Sequence, residues 1–241
     1  ILISYYVCIS RYSEINNQLL LSNIILVILI IADEALDLNR YFRLVIQIIA
    51  TLPIVLSLDL SIYKTIITIF SIILVCGFIN LFNFFDGLNL LLSSQFILIL
   101  TYYMMTQGIL KLQNFNDDML ILIGSSFGFA ILNSFGLIFM GDIGSCFMGL
   151  FSALLFLSSI VTIDFNNWII LIAPLMPIMT DTILTILIRL TNGEKFFSTP
   201  HKQHAYQLLK LLGLKDIEVS IIYIIKFIIY TLPIYYSYRL G

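Results

Sequence analysis

Residues 62–87 read IYKTIITIFSIILVCGFINLFNFFDG. The first part, 62–82, carries a single charge, Lys64, before the polar pentad Asn83-Phe84-Phe85-Asp86-Gly87 interrupts it. As a helix rising 1.5 Å per residue that run is about 31 Å long, the thickness of the hydrocarbon layer of a bilayer. Apolar residues fill every face of it rather than one stripe, which is the pattern of a helix with no watery side.

The same alternation of long apolar run and short polar break continues outward in both directions. The 241 residues are 60% hydrophobic and 11% charged, with a mean hydropathy of +1.05, far from the composition of a soluble domain. Apolar spans are predicted at 1–10 (partial), 19–31, 41–58, 62–82, 88–106, 119–139, 145–161, 168–190 and 219–238, about nine in all. The span at 19–31 is short and is expected to tilt or to extend through its neighbours. No alternating ten-residue segments of the barrel kind occur. The reading is an all-α, polytopic membrane bundle forming a single domain over 1–241. The chain opens at Ile1 inside an apolar run with no initiator Met and no signal-peptide flank, so its natural N-terminus is expected to lie upstream.

The formal charge of -2, with no long basic run, excludes a nucleic-acid surface. Cys8, Cys76 and Cys146 lack metal-ligand spacing and read as small buried hydrophobes, with neither a disulfide nor a zinc site.

Four polar islands remain: Ala32-Asp33-Glu34, Asn83 to Gly87, Met140-Gly141-Asp142-Ile143-Gly144-Ser145, and Pro200-His201-Lys202-Gln203-His204-Ala205-Tyr206-Gln207. Each follows the previous one after two predicted crossings, which places all four on one membrane face. That face carries seven of the twelve Lys and Arg residues, against four opposite and Lys226 within the last span. The bias puts it in the cytoplasm of a plasma-membrane protein.

Asp33, Glu34, Asp86, Asp142 and Asp181 bring five acids toward that face, where an ionisable group inside the bilayer costs about 2.5–3.5 kcal/mol even on insertion scales. Any one of them reads equally well as a helix cap. Together they suit a hard divalent cation, which takes carboxylate oxygens together with substrate phosphates. Asp86-Gly87 and Gly141-Asp142-Ile143-Gly144-Ser145 set flexible residues beside an acid just before a new helix, where free amides receive an anion. His201 and His204, the only histidines, share one face if the segment is helical, with Lys195, Lys202 and Lys210 nearby. Imidazoles and ammonium groups there would hold a diphosphate as its charge grows during phosphoryl transfer.

These islands resemble the motifs of the polyprenyl-phosphate N-acetylhexosamine-1-phosphate transferases of glycosyltransferase family 4. Asn83-Phe84-Phe85-Asp86-Gly87 is similar to their Asn-x-x-Asp-Gly segment, and Phe139-Met140-Gly141-Asp142-Ile143-Gly144-Ser145 to their Phe-Met-Gly-Asp-x-Gly-Ser segment. Asp33-Glu34 falls where the family has an Asp-Asp pair, and residues 174–189 resemble the helix that carries an Asp and an Arg before the histidine loop. His201-Lys202-Gln203-His204-Ala205-Tyr206-Gln207 is closer to the His-x-x-His form of O-antigen initiation enzymes than to the adjacent histidines of phospho-MurNAc-pentapeptide transferase. Against the family pattern, the first membrane helix is expected to be missing.

The resemblance implies transfer of a sugar 1-phosphate from UDP-GlcNAc or a 6-deoxy N-acetylhexosamine relative to undecaprenyl phosphate, with release of UMP and a requirement for Mg2+, Mn2+ being the alternative. It implies Asp33, Asp86 and Asp142 as catalytic residues, with Asp142 and Asn83 at the metal and Asp33 on the lipid phosphate. Substrate contacts fall to Glu34, Asn83, Asn89, His201, Lys202 and His204. Glu34 and Asn89 stand where many relatives carry Asp, so Asn89 brings no charge to the nucleotide. The implied setting is the bacterial inner membrane, with membrane lipids and the two substrates as partners and a homodimer left open. Two other readings stand beside it: a truncated family member of low activity, and a secondary transporter using intramembrane acids and Lys226.

Overall fold

The computed structural model describes residues 14–36, 38–57, 64–112, 115–160, 163, 167–193 and 203–240, and every regular element among them is helical. Helices α1 (Glu14–Leu36) and α2 (Arg40–Ser57) form a hairpin, and α3 (Lys64–Phe85) packs along α7 (Gly141–Ile160). Helix α4 (Leu91–Met105) packs on α6 (Asn116–Ser134), with the short α5 (Gln107–Leu110) between them in sequence. Helix α8 (Trp168–Ile172) passes through a 3-10 turn, Ala173–Leu175, into α9 (Met176–Thr191), with Pro174 and Pro177 at the joint. The short α10 (Ala205–Leu211) precedes the last helix, α11 (Asp216–Leu240), which lies against α4 and α9.

This is the expected all-α bundle. Ile66–Phe85, Gly141–Ile160, Trp168–Thr191 and Asp216–Arg239 are long and apolar enough to cross a membrane, and Asn17–Asp33, Tyr41–Leu56 and Leu91–Met105 are shorter apolar helices. The crossing stretch of α7 is 78% buried while those of α3 and α11 are 33% and 28% buried, which makes α7 the central helix. Elsewhere large apolar side chains face outward, among them Ile28, Ile66, Phe70, Ile73 and Ile229. In water that surface would be untenable; in a bilayer it meets acyl chains. The protein is a multi-pass membrane protein.

Gly149 sets how closely α7 approaches α3. A Cβ there would stand 2.7 Å from the Phe78 carbonyl oxygen and 2.9 Å from Ile79 Cα, so only glycine lets the two backbones meet. Between α2 and α3 the contact is polar: Asn80 Nδ2 donates to Gln47 Oε1 at 2.9 Å and to the Cys76 carbonyl at 2.8 Å. A paired amide is the cheap way to hold polar groups between apolar helices.

Several helices overrun the predicted spans at one end, because intrahelical hydrogen bonding continues past the last apolar residue and unpaired amides near a bilayer are costly, while α4 and the C-terminal end of α6 fall short of theirs. The short span at 19–31 becomes the 23-residue α1, Asn83 joins the last turn of α3, and Gly141 and Asp142 join the first turn of α7. The segment predicted at 1–10 lies outside the described residues.

Candidate active site

The second and third islands meet where α3 ends and α7 begins. Ser145, fully buried in α7, donates its hydroxyl hydrogen toward Asn83 Oδ1 at 3.0 Å, tying the two helix ends together. Gly141 has φ +66, the left-handed conformation through which the chain turns into α7. The first N–H groups of that helix have no acceptor of their own and form an anion-binding end. Asp142, in the first turn, is exposed; Asp86, just beyond α3, is half-buried. Burial, and then the charge of Asp142, push the Asp86 carboxyl up to about 7. A cation near Asp86 would offset that penalty on its ionised form.

The fourth island folds back into the bundle. His204 has extended backbone (φ -62, ψ 144) and sits immediately before α10, so it is not itself helical. His201, Lys202 and Lys195 lie outside the described residues. His204 is 5% exposed, and its Nδ1 lies 2.8 Å from Asp181 Oδ2 on α9. The other carboxylate oxygen accepts from the Ala205 backbone N–H at 2.9 Å and from the Tyr223 hydroxyl on α11 at 2.7 Å. Gln207 Oε1 accepts from the His204 N–H at 3.2 Å, which closes the start of α10.

Tyr206 links this loop to the second island. Its hydroxyl donates to the Phe84 carbonyl at 2.7 Å, and its ring packs edge-on against Phe85 at 5.5 Å and parallel to His204 at 5.5 Å. The ring lies over Gly87: a Cβ there would fall 2.5 Å from the Tyr206 hydroxyl oxygen and 2.6 Å from Cε2. Burial, followed by the charges of Asp181 and Asp86, raises the Tyr206 hydroxyl, which therefore stays protonated and able to donate.

Islands two, three and four thus converge, as parity suggested. The five acids do not. Asp33 Oδ2 is paired with Arg43 Nη1 at 3.1 Å, and Oδ1 accepts from the Leu38 N–H at 3.1 Å, so both oxygens are engaged within the α1–α2 turn. Asp181 is spent on His204, Ala205 and Tyr223. Glu34 lies in the last turn of α1. Asn89 belongs to a structural knot: Asn133 Nδ2 approaches Asn89 Oδ1 at 3.3 Å and donates to the Ile138 carbonyl, while Asn133 Oδ1 accepts from the Leu90 N–H at 2.5 Å. Leu90 itself is left-handed at φ 69, and this amide clamp holds it there.

Asp181, Tyr206 and Tyr223 carry more of the site than their sequence positions announced. The available signal was Asp181 itself, an acid inside an apolar span, which must find a partner there.

Among the described residues no three His, Cys, Asp or Glu side chains converge on a metal position. Asp86 and Asp142 nevertheless bring two carboxylates to the junction of α3 and α7, near enough for the charge of Asp142 to raise the Asp86 carboxyl, and Asn83 Oδ1 keeps a lone pair beyond the one that Ser145 engages. That fits Mg2+, which is held by one or two carboxylates with waters and substrate phosphates, and not a closed structural zinc site.

A family model described as Glycosyl transferase family 4 matches residues 17–160, more than half of the chain. The match spans α1 through α7 with the first three islands, and the His204 loop lies beyond it. No curated protein matches the chain.

Proposed function

Because the chain belongs to glycosyl transferase family 4, we propose that it transfers the sugar 1-phosphate of a UDP-N-acetylhexosamine to undecaprenyl phosphate and releases UMP. UDP-GlcNAc or a 6-deoxy relative is the donor, and the product starts a lipid-linked surface glycan on the cytoplasmic side of a bacterial inner membrane. The observation that supports this reading is the junction of the second and third islands, where Ser145 at the start of α7 is bound to Asn83 at the end of α3, with Asp142 and Asp86 near them in sequence.

In the reaction an oxygen of the lipid phosphate bonds to the sugar-bearing phosphorus of the donor. The bond from that phosphorus to the bridging oxygen breaks, and UMP leaves with the electron pair. Asp142 and Asp86, with the Asn83 side-chain oxygen, would hold Mg2+, which when bound would supply charge neutralisation on the diphosphate. The N–H groups of Gly141 to Gly144 receive donor oxygens, and the Gly141 turn keeps that helix end open. His204 stands on the donor side, beside the Tyr206 ring that packs over Gly87. The acceptor phosphate goes to Asp33 together with Arg43, since a phosphate approaching that carboxylate also meets the guanidinium paired with it.

Membranes containing the protein should move label from UDP-GlcNAc, or from a 6-deoxy relative, into a butanol-extractable lipid with release of UMP. Asp142→Asn should abolish the transfer with expression intact. Failure of every donor in a broad panel would refute the assignment, and substrate uptake without UMP release would favour a transporter instead.

A further inference from the structure

The buried side of the histidine loop has a feature that the transfer reaction does not by itself require. The Asp181 side chain has no exposed surface, and it spends both oxygens on holding one loop. Oδ2 faces His204 Nδ1 at 2.8 Å; Oδ1 takes the Ala205 N–H at 2.9 Å and the Tyr223 hydroxyl at 2.7 Å. Helix α9 thereby grips the first residue of α10, and α11 braces the grip. Lys226, on the same helix as Tyr223, sets Nζ 5.1 Å over the Tyr223 ring and 3.4 Å from the Pro177 carbonyl oxygen on α9.

We infer that Asp181 is a positioning residue: it fixes the ring orientation and the proton-bearing nitrogen of His204, with Tyr223 as its brace. A carboxylate only accepts, so the ring nitrogen facing it carries the hydrogen, and the opposite nitrogen, Nε2, is the atom turned away from Asp181. The same grip seats Tyr206 over Gly87, so the loop is registered against Asp86 through one buried group. The assignment rests on the transferase reading for its catalytic consequence, while the Asp181–His204 bond stands on geometry alone.

Asp181→Asn separates orientation from packing. Its carbonyl oxygen would keep the Oδ1 place, where two donors converge, and its NH2 would then face His204 Nδ1. That nitrogen must become an acceptor and the ring proton must move to Nε2. With only two histidines in the chain, 15N-histidine NMR of the full protein in nanodiscs reads the change directly, and His201→Gln assigns the signals. Nδ1 should bear hydrogen in the wild type and lack it in Asp181→Asn; the same Nδ1 state in both proteins overturns the inference.

In the transfer assay Asp181→Asn should lower kcat about 10- to 100-fold, the usual scale for losing the partner that orients a functional imidazole, with KM for UDP-GlcNAc little changed. In a His204→Ala background the same substitution should cost nothing further, because Asp181 acts through His204. Full additivity of the two losses would make Asp181 a purely structural residue and refute the positioning role. Tyr223→Phe, which removes the brace and leaves the Asp181–His204 bond, should give a smaller kcat loss with the wild-type Nδ1 state. A wild-type protein with no transfer activity would sink the proposed reaction, and the NMR comparison would still decide whether Asp181 sets the state of His204.

Discussion

Gly87→Ala tests how tightly the fourth island is seated on the second. The new Cβ would lie 2.5 Å from the Tyr206 hydroxyl oxygen, 2.6 Å from Cε2 and 2.9 Å from Cζ. Carbon contacts settle near 3.5–4.0 Å, so the ring must retreat by about 1 Å. Tyr206 is 1% exposed and its hydroxyl is bound to the Phe84 carbonyl at 2.7 Å, which leaves no free direction for that retreat. Losing the hydrogen bond costs about 0.5–1.5 kcal/mol and forcing an extra methyl into a packed site about 1–3 kcal/mol. An ångström of displacement at the loop that carries His204 should slow transfer roughly 100-fold. Sugar-phosphate transfer into lipid, measured beside thermal unfolding in the same detergent, separates the two effects. Gly77→Ala, ten residues earlier within α3, is the control, since a Cβ there meets nothing within 4 Å; it should be neutral or slightly stabilising. Tyr206→Phe, which removes only the hydrogen bond, should fall between wild type and Gly87→Ala. Wild-type rate and stability in Gly87→Ala, or equal damage from Gly77→Ala, would refute the reasoning.

Gly149→Val should be the more destructive glycine change, because its Cβ meets the Phe78 backbone, which has no rotamer to escape by; a loss of about 3 kcal/mol or more, seen as a large drop in Tm or in folded yield, is expected. The Asp86 carboxyl, pushed up to about 7, is mostly protonated below that pH and ionised above it, and only the ionised form binds a cation. The Mg2+ concentration giving half-maximal transfer should therefore fall as pH rises from 6 to 8, by up to roughly tenfold per unit below 7. A Mg2+ requirement that does not move over that range would remove Asp86 from the cation site.

The helical fold was readable because hydrophobic length is a one-dimensional property: each of the spans from 19–31 to 219–238 is overlapped by a helix. Parity predicts the islands on one face, and the structure brings Ser145 of the third against Asn83 of the second. Helix ends were less legible, since hydropathy falls at Phe82 while backbone hydrogen bonding runs on through Asn83 to Phe85. His204 is not helical, for a local reason: it is the extended residue immediately before α10.

The sequence by itself determined that apolar helices alternate with short polar breaks in a multi-pass bundle, because apolar length needs no knowledge of partners. Only the tertiary structure decided which acids face one another. Asp33 turned to Arg43, Asp181 to His204 and Tyr223, and Asp86 was left beside Asp142. A buried carboxylate takes whichever donors the packed helices bring within about 3 Å, and the Asp181 donors lie 23, 24 and 42 residues away along the chain.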